Sequence, residues 1–186
     1  LYYALDFVLG LLFAIFEVGL AYLFLSNACG QPVTSFGLFS GFGQGPQKAI
    51  SIWLVPSLFL LVPTLLPDLL MTQCILNKDF KWALYAFGAT LLFLPLTLFI
   101  KILYSQVFYI MLDFPEMTAA ECRRYSIRLM QGNKGRYLYL LLSFLPLYLL
   151  GVLSLGIGLL YVAPYRAQTC ADFYLELIGD NKTAGK

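Results

Sequence analysis

Four long apolar stretches constrain the fold of this chain more than any other feature of its sequence. A helix that crosses a membrane needs about 20 mostly apolar residues, within a range of about 17–25. Each stretch reaches that length, and each is apolar on every side rather than alternating, which favours helices over the strands of a membrane barrel. We therefore predict an all-α, polytopic helical membrane protein with about four transmembrane helices. The stretches cover residues 2–25, 49–75, 82–112 and 137–165.

The composition agrees with this prediction. Of the 186 residues, 60% are hydrophobic and 12% are charged, whereas soluble domains carry about 25% charged residues. The net charge of +2 is far below the clustered basic excess that nucleic-acid binding requires. The length suits a single domain over residues 1–186. An ordinary soluble enzyme and a nucleic-acid-binding protein are therefore excluded.

The residues of the commonest catalytic and metal-binding sites are missing. The sequence contains no histidine, which removes Ser-His-Asp and Cys-His catalysis and most zinc sites. Its cysteines form no CxxC pair, and in apolar surroundings a free cysteine usually behaves as a small hydrophobic residue. We therefore expect no metal, no cofactor and no enzymatic activity. The cysteines are Cys29, Cys74, Cys122 and Cys170.

One group of carboxylates, in the segment 113–121, suggests an alternative in which the protein is a membrane enzyme that acts on lipid head groups. Thr118 and Glu121 have the spacing of a capping box, in which both side chains accept hydrogen bonds from amides at the start of a helix. Asp113 and Glu116 lie on either side of a proline and suit a turn. We therefore favour a structural role for these three acids.

Three ionisable residues lie within or near the apolar stretches: Glu17, Asp68 and Lys101. A charged side chain inside a bilayer is costly unless it is paired or hydrated, so each of them is a candidate functional residue. Glu17 and Lys101 can form a structural pair if their helices bring them to the same depth, and Lys101 alone can extend to the interface. Asp68 follows Pro67 and can instead cap a helix that restarts after a break at that proline.

Prolines and glycines predict irregularities in the stretches. Pro56, Pro63 and Pro67 interrupt the second stretch, and we expect breaks there. The third is longer than one crossing requires, so its end is expected to tilt or to leave the lipid. The fourth holds Pro146 and the run Gly156-Ile157-Gly158, where we expect a kink and a distortion. Such glycines suit close helix packing, and a broken helix that lines a binding site is the alternative.

Two amphipathic helices are predicted outside the stretches, at residues 118–131 and 167–178. In the first, basic residues lie largely apart from an apolar side, a pattern typical of helices that lie along a membrane surface. Short cytoplasmic loops are rich in Lys and Arg, so we place this segment inside the cell, together with Lys48. The candidate residues for contact with lipid head groups are Arg123, Arg124, Arg128, Lys134 and Arg136.

Aromatic residues add two expectations. Phe36, Phe39 and Phe42 recur every three residues, which suits a short helix at the interface. Aromatic anchors at the membrane–water boundary are expected at the start of the third stretch and at the end of the fourth. These anchors are Trp82, Tyr161, Tyr165 and Tyr174.

From Tyr104 onward the sequence carries a series of short motifs. They are Tyr104-Ser105, Asp113-Phe114-Pro115-Glu116, Leu129-Met130-Gln131-Gly132-Asn133-Lys134, Ser143-Phe144, Leu155-Gly156-Ile157-Gly158-Leu159-Leu160, Pro164-Tyr165 and Phe173-Tyr174. In these motifs the chain resembles the bacterial integral-membrane family catalogued as domain of unknown function 975, most strongly over residues 100–177. The resemblance implies a membrane protein without an established activity. The family looks distantly similar to membrane domains that accompany glycerophosphodiester phosphodiesterases, which implies lipid surroundings and transfers no catalytic residues.

These observations favour a non-catalytic scaffold or accessory subunit in the cell membrane that binds lipid or a partner protein. The alternative is a small-solute transporter or permease-like protein that works as an oligomer, because intramembrane charges and interrupted helices are typical of transporters. Four spans without an evident internal repeat speak against that alternative. The expected partners are membrane lipids, together with a membrane-protein partner or further copies of this chain in a homo-oligomer.

Overall fold

The computed structural model describes residues 2–43 and 45–184, with side chains for 8–34, 36–43 and 45–179. The chain is 84% helical, and its described part contains no strand. A short 3-10 helix, Ser35–Phe39, precedes α2. The α-helices are α1 Tyr2–Ala28, α2 Ser40–Gly43, α3 Pro46–Asn77, α4 Lys81–Tyr104, α5 Val107–Asp113, α6 Ala119–Leu129, α7 Lys134–Ser143, α8 Leu145–Leu153 and α9 Leu159–Ala184.

Four parts of the described chain are long and apolar enough to span a membrane, as the sequence predicts. At most 33% of the most apolar part of each is buried inside the protein, so their surfaces are largely exposed on the isolated chain. The prediction of an all-α polytopic membrane protein is therefore confirmed. The four spans are Val8–Ala28, Pro46–Asn77, Lys81–Asp113 and Lys134–Leu153.

The second and third spans form a hairpin of two long helices, α3 and α4. Pro56, Pro63 and Pro67 all lie inside α3, which continues through them. The predicted breaks, and a helix cap at Asp68 after one of them, are therefore wrong. A proline removes one backbone hydrogen bond, and in an apolar surrounding no water competes for the bonds that remain. Lys78, with a φ of 52°, ends α3 and begins the turn into α4.

The third apolar stretch contains a short break in its helix, and so does the first part of the fourth. α4 ends at Tyr104, and α5 begins at Val107. α7 ends at Ser143, and α8 begins at Leu145 with Pro146 in its first turn. The proline has no amide with which to continue the hydrogen bonding of α7, and the expected kink at this position is confirmed.

The fourth stretch is not the single crossing that its length indicates. The chain turns over residues 154–158, where Gly156 has a φ of 87°, and α9 then folds back along α8. The rings of Phe144 and Tyr165 lie 5.5 Å apart across this hairpin. The prediction of one helix over 137–165 is therefore wrong, whereas the expected distortion at the glycines is confirmed. Hydropathy does not detect the reversal, because both arms beside the turn are apolar.

The helix predicted at residues 167–178 is the middle of α9 rather than a separate helix on a membrane surface. α9 is continuous from Leu159 to Ala184. In its middle part Ala171 and Tyr174 are completely buried. The apolar side of this segment therefore packs into the protein core and is not available to a bilayer.

The connection between α1 and α3 folds back along the middle of α1. A Cβ atom on Gly19 would lie 1.8 Å from the Leu38 carbonyl oxygen, and one on Gly41 would lie 2.2 Å from the Ile15 carbonyl oxygen. Only glycine permits the two backbones to approach so closely. The short helix expected at 36–42 is therefore present as the 3-10 helix and α2, and it packs against α1.

The buried core lies where α1, α5, α6 and α9 meet the first turns of α3 and the last turn of α4. Beyond this core the α3–α4 hairpin and the turn between α8 and α9 are largely exposed. The largest fully buried apolar side chains are Val18, Ile52, Val107, Ile110, Met130, Tyr174 and Leu177.

Replacing Gly19 by alanine tests the close approach of the connection to α1. The added methyl group overlaps the Leu38 carbonyl, and we expect a loss of about 1–3 kcal/mol in the free energy of unfolding. Gly88→Ala in α4 is the matched control, because a Cβ atom added there would meet no neighbouring helix or side chain within 4 Å in the described chain. Denaturant titration in detergent measures both variants, and equal losses would contradict the close contact at Gly19.

Candidate functional site

Basic residues gather at the end of the α3–α4 hairpin that lies opposite its turn at 78–80. α6 packs across the first turns of α3 and the last turn of α4. α7 begins beside α4, where Lys134 Nζ lies 4.7 Å from the centre of the Phe99 ring. We call this set of residues the basic surface. It consists of Lys48, Arg123, Arg124, Arg128, Lys134 and Arg136.

Side-chain hydrogen bonds to backbone carbonyls fix α6 and the segment before it in this position. Arg123 Nη1 donates to the Ser51 carbonyl of α3 at 2.8 Å. Ser126 Oγ donates to the Leu103 carbonyl of α4 at 2.7 Å. Lys48 Nζ donates to the carbonyl of Pro115, just before α6, at 3.0 Å. The two helices of the hairpin are therefore joined at their base by α6.

The start of α6 is a complete capping box, as the sequence predicts. The Thr118 amide donates to Glu121 Oε2 at 2.7 Å, and the Glu121 amide donates to Thr118 Oγ1 at 3.4 Å. The hydrogen bond from the Thr118 backbone stabilises the ionised carboxylate and holds the pKa of Glu121 below its usual value, with a smaller effect from the Thr118 hydroxyl and from nearby cations. Glu121 therefore has a structural role.

Of the five arginines and lysines that the sequence predicts for lipid contact, three have contacts within the protein. Arg123 donates a hydrogen bond to α3, Arg136 forms an ion pair with Glu176 of α9, and Lys134 lies over the Phe99 ring. Arg124 and Arg128 are exposed on the outer side of α6. Within the described residues, the guanidinium group of Arg128 makes no hydrogen bond or ion pair. The side chains of Arg124 and Arg128 are therefore exposed to contacts outside the protein.

Beneath the basic surface a buried tyrosine connects α9 to α5. Tyr174 Oη donates to Asp113 Oδ2 at 2.7 Å, and its ring stacks on Tyr109 with centroids 5.3 Å apart. Burial raises the pKa of Tyr174, and the hydrogen bond to Asp113 raises it further. The expectation that Tyr174 is an interfacial anchor is wrong, because its side chain is fully enclosed by core residues. Asp113 serves as its acceptor.

The three charged candidates within the spans are all exposed on the surface of the isolated chain. The structure places Lys101 close enough to Glu17 for the two charges to interact. Among the described residues, however, these groups do not form an ion pair within 4 Å. Asp68 lies farther along α3, and its carboxylate has no hydrogen-bond partner or ion-pair partner in the described chain. The structure therefore brings two of the three candidates together.

Two clefts border the basic surface. One of about 350 Å³ lies between α7 and α9 and is lined by residues that include Arg136, Ser143 and Glu176. The other, of about 390 Å³, is lined by residues that include Lys48, Met111 and Leu112. In the described part of the chain, no three His, Cys, Asp or Glu side chains are grouped closely enough to hold a metal ion.

The sequence does not predict which groups the basic residues contact. Arg136 and Glu176 are 40 positions apart, and Lys48 is 67 positions from Pro115. Neither pair has the three- or four-residue spacing by which neighbours on one helix are recognised. These contacts arise only when the helices pack.

The fold defines this chain as a helical protein with four segments that are long and apolar enough to span a membrane. A family model described as "Protein of unknown function (DUF975)" matches residues 47–181. The match covers roughly three quarters of the chain, so the chain belongs to this family, and the resemblance seen in the motifs is confirmed. No curated protein and no solved structure matches the chain.

Replacing Tyr174 by phenylalanine tests the connection between α9 and α5. The variant loses the hydrogen bond to Asp113 while keeping the stacked ring, and we expect a loss of about 1–3 kcal/mol in the free energy of unfolding. Tyr161→Phe, at an exposed position, is the matched control and should change stability by less than about 0.5 kcal/mol. Denaturant titration in detergent measures both; an unchanged Tyr174→Phe protein would show that the hydrogen bond does not contribute.

The capping box predicts how stability depends on pH. Because folding lowers the pKa of Glu121 below its ordinary value of 4.5, its contribution is fully present above that pH and is lost as the pH falls through the lower folded-state pKa. Thermal unfolding between pH 6 and about pH 3 measures this loss. Glu121→Gln should flatten the profile in this range, whereas Glu116→Gln, outside the box, should retain the wild-type slope. A Glu116→Gln profile as flat as that of Glu121→Gln would contradict the assignment.

Proposed function

We propose that this protein is a non-catalytic, multi-pass scaffold or accessory subunit of the cell membrane that binds anionic lipid head groups at its basic surface. The observation that carries the proposal is the position of α6. Arg124 and Arg128 are exposed on a helix that is fixed by side-chain hydrogen bonds across the ends of two apolar spans.

The position of the basic surface along the membrane-spanning helices supports this function. α6 contacts α3 at Ser51 and α4 at Leu103, close to the start of α3 at Pro46 and to the end of α4 at Tyr104. In a membrane this level corresponds to the region of the lipid head groups. A basic residue near an anionic membrane surface contributes about 1 kcal/mol of binding free energy. A guanidinium group also matches the geometry of a phosphate better than an ammonium group does.

Lipid binding by the purified protein tests the proposal. Native mass spectrometry in a neutral detergent measures the dissociation constants for phosphatidylglycerol and for phosphatidylcholine. The double variant Arg124→Gln/Arg128→Gln should weaken phosphatidylglycerol binding by about 30-fold, from about 1 kcal/mol for each residue. Its binding of phosphatidylcholine should not change.

A second double variant, Lys78→Gln/Lys81→Gln, is the control. It removes the same number of charges at the opposite end of the α3–α4 hairpin, and it should retain the wild-type preference for phosphatidylglycerol. If the control loses as much affinity as the α6 variant, the effect is one of net charge and the basic surface is not the binding site. If the α6 variant binds phosphatidylglycerol as tightly as the wild type does, the basic surface is likewise not the binding site.

One observation favours transport as the second candidate function. Glu17 lies within the first span, and Lys101 of the third span is its charged neighbour. Ionisable groups inside membrane spans are typical of ion pathways and proton relays. Under this function, sealed vesicles with an entrapped pH-sensitive dye should take up protons, and Glu17→Gln should abolish the uptake without changing thermal stability. Vesicles that stay impermeable would contradict transport of protons by the purified protein.

A further inference from the structure

In the middle of α3, between residues 54 and 72, the polar side chains lie on one side of the helix. Between residues 54 and 72 this helix carries four of them: Ser57, Thr64, Asp68 and Thr72. At 3.6 residues per turn they fall within a sector of about 80°. The rest of this segment is apolar. A helix that contacts only lipid has no need for such a polar side.

Exposed apolar residues alternate with these polar residues at the spacing of a helix–helix interface. Leu54, Leu61, Met71 and Ile75 share the side, and each is between 43% and 71% exposed. Together the residues follow the three- and four-residue steps by which two parallel helices pack side by side. We call this set the α3 seam. It consists of Leu54, Ser57, Leu61, Thr64, Asp68, Met71 and Ile75.

Asp68 lies near the middle of the bilayer when the α3–α4 hairpin crosses it. It precedes Lys78, at the charged turn of the hairpin, by ten residues, or about 15 Å of helix. This is half of a hydrocarbon core of about 30 Å. An ionisable group at that depth faces a protein partner or a water-filled cavity in membrane proteins. In the described chain no side chain bonds to its carboxylate.

The rest of the hairpin does not cover the seam. The buried side of α3 is marked by Ile52 and Pro63, and it faces roughly away from Asp68 around the helix. α4 packs along α3 while Thr64, Asp68 and Thr72 remain exposed. The seam therefore remains open to a second protein chain.

We propose that two copies of this chain form a parallel, two-fold dimer through the α3 seam, with the Asp68 carboxyl groups of both copies sharing one proton. A two-fold axis along the membrane normal places each residue opposite its own counterpart. The seam is self-complementary under this symmetry. One carboxyl O–H donates to the carboxylate oxygen of the other copy, and each polar group meets a polar group at the same depth.

The threonines on either side of Asp68 fit this arrangement. Thr64 Oγ1 donates to the Leu60 carbonyl at 2.9 Å, and Thr72 Oγ1 donates to the Asp68 carbonyl at 2.8 Å. Each hydroxyl proton is therefore used within α3, while the oxygen lone pairs remain available to accept. Ser57 follows the same rule, donating to the Leu54 carbonyl. The seam hydroxyls are therefore satisfied within α3 and need no partner in the dimer, and the shared Asp68 proton is the hydrogen-bond donor between the two seams.

Disulfide cross-linking in native membranes tests the dimer. Single cysteines are placed on the seam, as Thr64→Cys or Ile75→Cys, in a background where all four native cysteines are alanine. Oxidation should convert the seam variants to a species of twice the chain mass. Leu66→Cys is the matched control, because it has the depth of Thr64, is exposed, and lies on the far side of the helix. It should remain monomeric.

Substitution of Asp68 supplies the second measurement. Asp68→Leu removes the shared proton and should lower the cross-linked fraction of the Ile75→Cys protein about threefold or more. Asp68→Asn keeps a hydrogen-bonding side chain and should retain cross-linking. Thermal unfolding and monomer yield verify that each variant is folded, and Asp68→Ala, with the same expected loss of cross-linking, takes the place of Asp68→Leu if that protein fails the check.

Four outcomes would overturn the proposal. They are equal cross-linking at Thr64→Cys and Leu66→Cys, no cross-linked product, an unaffected Asp68→Leu protein, and cross-linking of the seam to a different protein. The last would assign the seam to another membrane protein with a complementary donor. None of these outcomes bears on lipid binding at the basic surface, which is measured separately.

Discussion

The hydrogen bond from Tyr174 to Asp113 joins the parts of the protein from which its apolar hairpins extend. Tyr174 is fully buried in α9, and its ring stacks on Tyr109 of α5. α5 in turn packs against α1 and α6, and α6 holds the base of the α3–α4 hairpin through Arg123 and Ser126. A buried phenol needs an acceptor, and Asp113 at the end of α5 supplies it. This contact links α9 to α5, and through α5 to the helices that hold the base of the hairpin.

The packing of the helices around this core also determines where the charged side chains lie. Cations concentrate where α3, α4, α6 and α7 meet, and several of them are used within the protein: Lys48 and Arg123 bond to carbonyls, and Arg136 pairs with Glu176. The accessible remainder on α6 supports the proposed lipid contact. At a distance from this surface, Asp68 supports the proposed dimer. The two proposals use different residues, different depths and different chemistry, so each stands without the other.

Sequence patterns predicted the structural features that depend only on residues close together in the chain. The capping box at Thr118 was predictable because both of its hydrogen bonds join residues three positions apart. The kink at Pro146 follows from a missing amide in the same turn. The continuity of α3 through Pro67 was not predicted, because a helix in apolar surroundings tolerates the loss of one bond. The reversal at 154–158 was not predicted either, since a hydropathy pattern has no direction. For the candidate site, the sequence predicted the basic residues as a group, and that prediction remains untested. It did not indicate which of these side chains bond within the protein.

The sequence by itself determined that this chain is helical and that four of its segments suit a membrane, because hydrocarbon accepts only backbones whose hydrogen bonds are satisfied internally. It also determined where α6 begins. Only the tertiary structure decided that the segment 167–178 is buried rather than interfacial, that Tyr174 bonds to Asp113, and that Arg136 pairs with Glu176. The physical reason is that these contacts join side chains 40 or more positions apart. Their partners are selected by the packing of whole helices, which no spacing along the chain encodes.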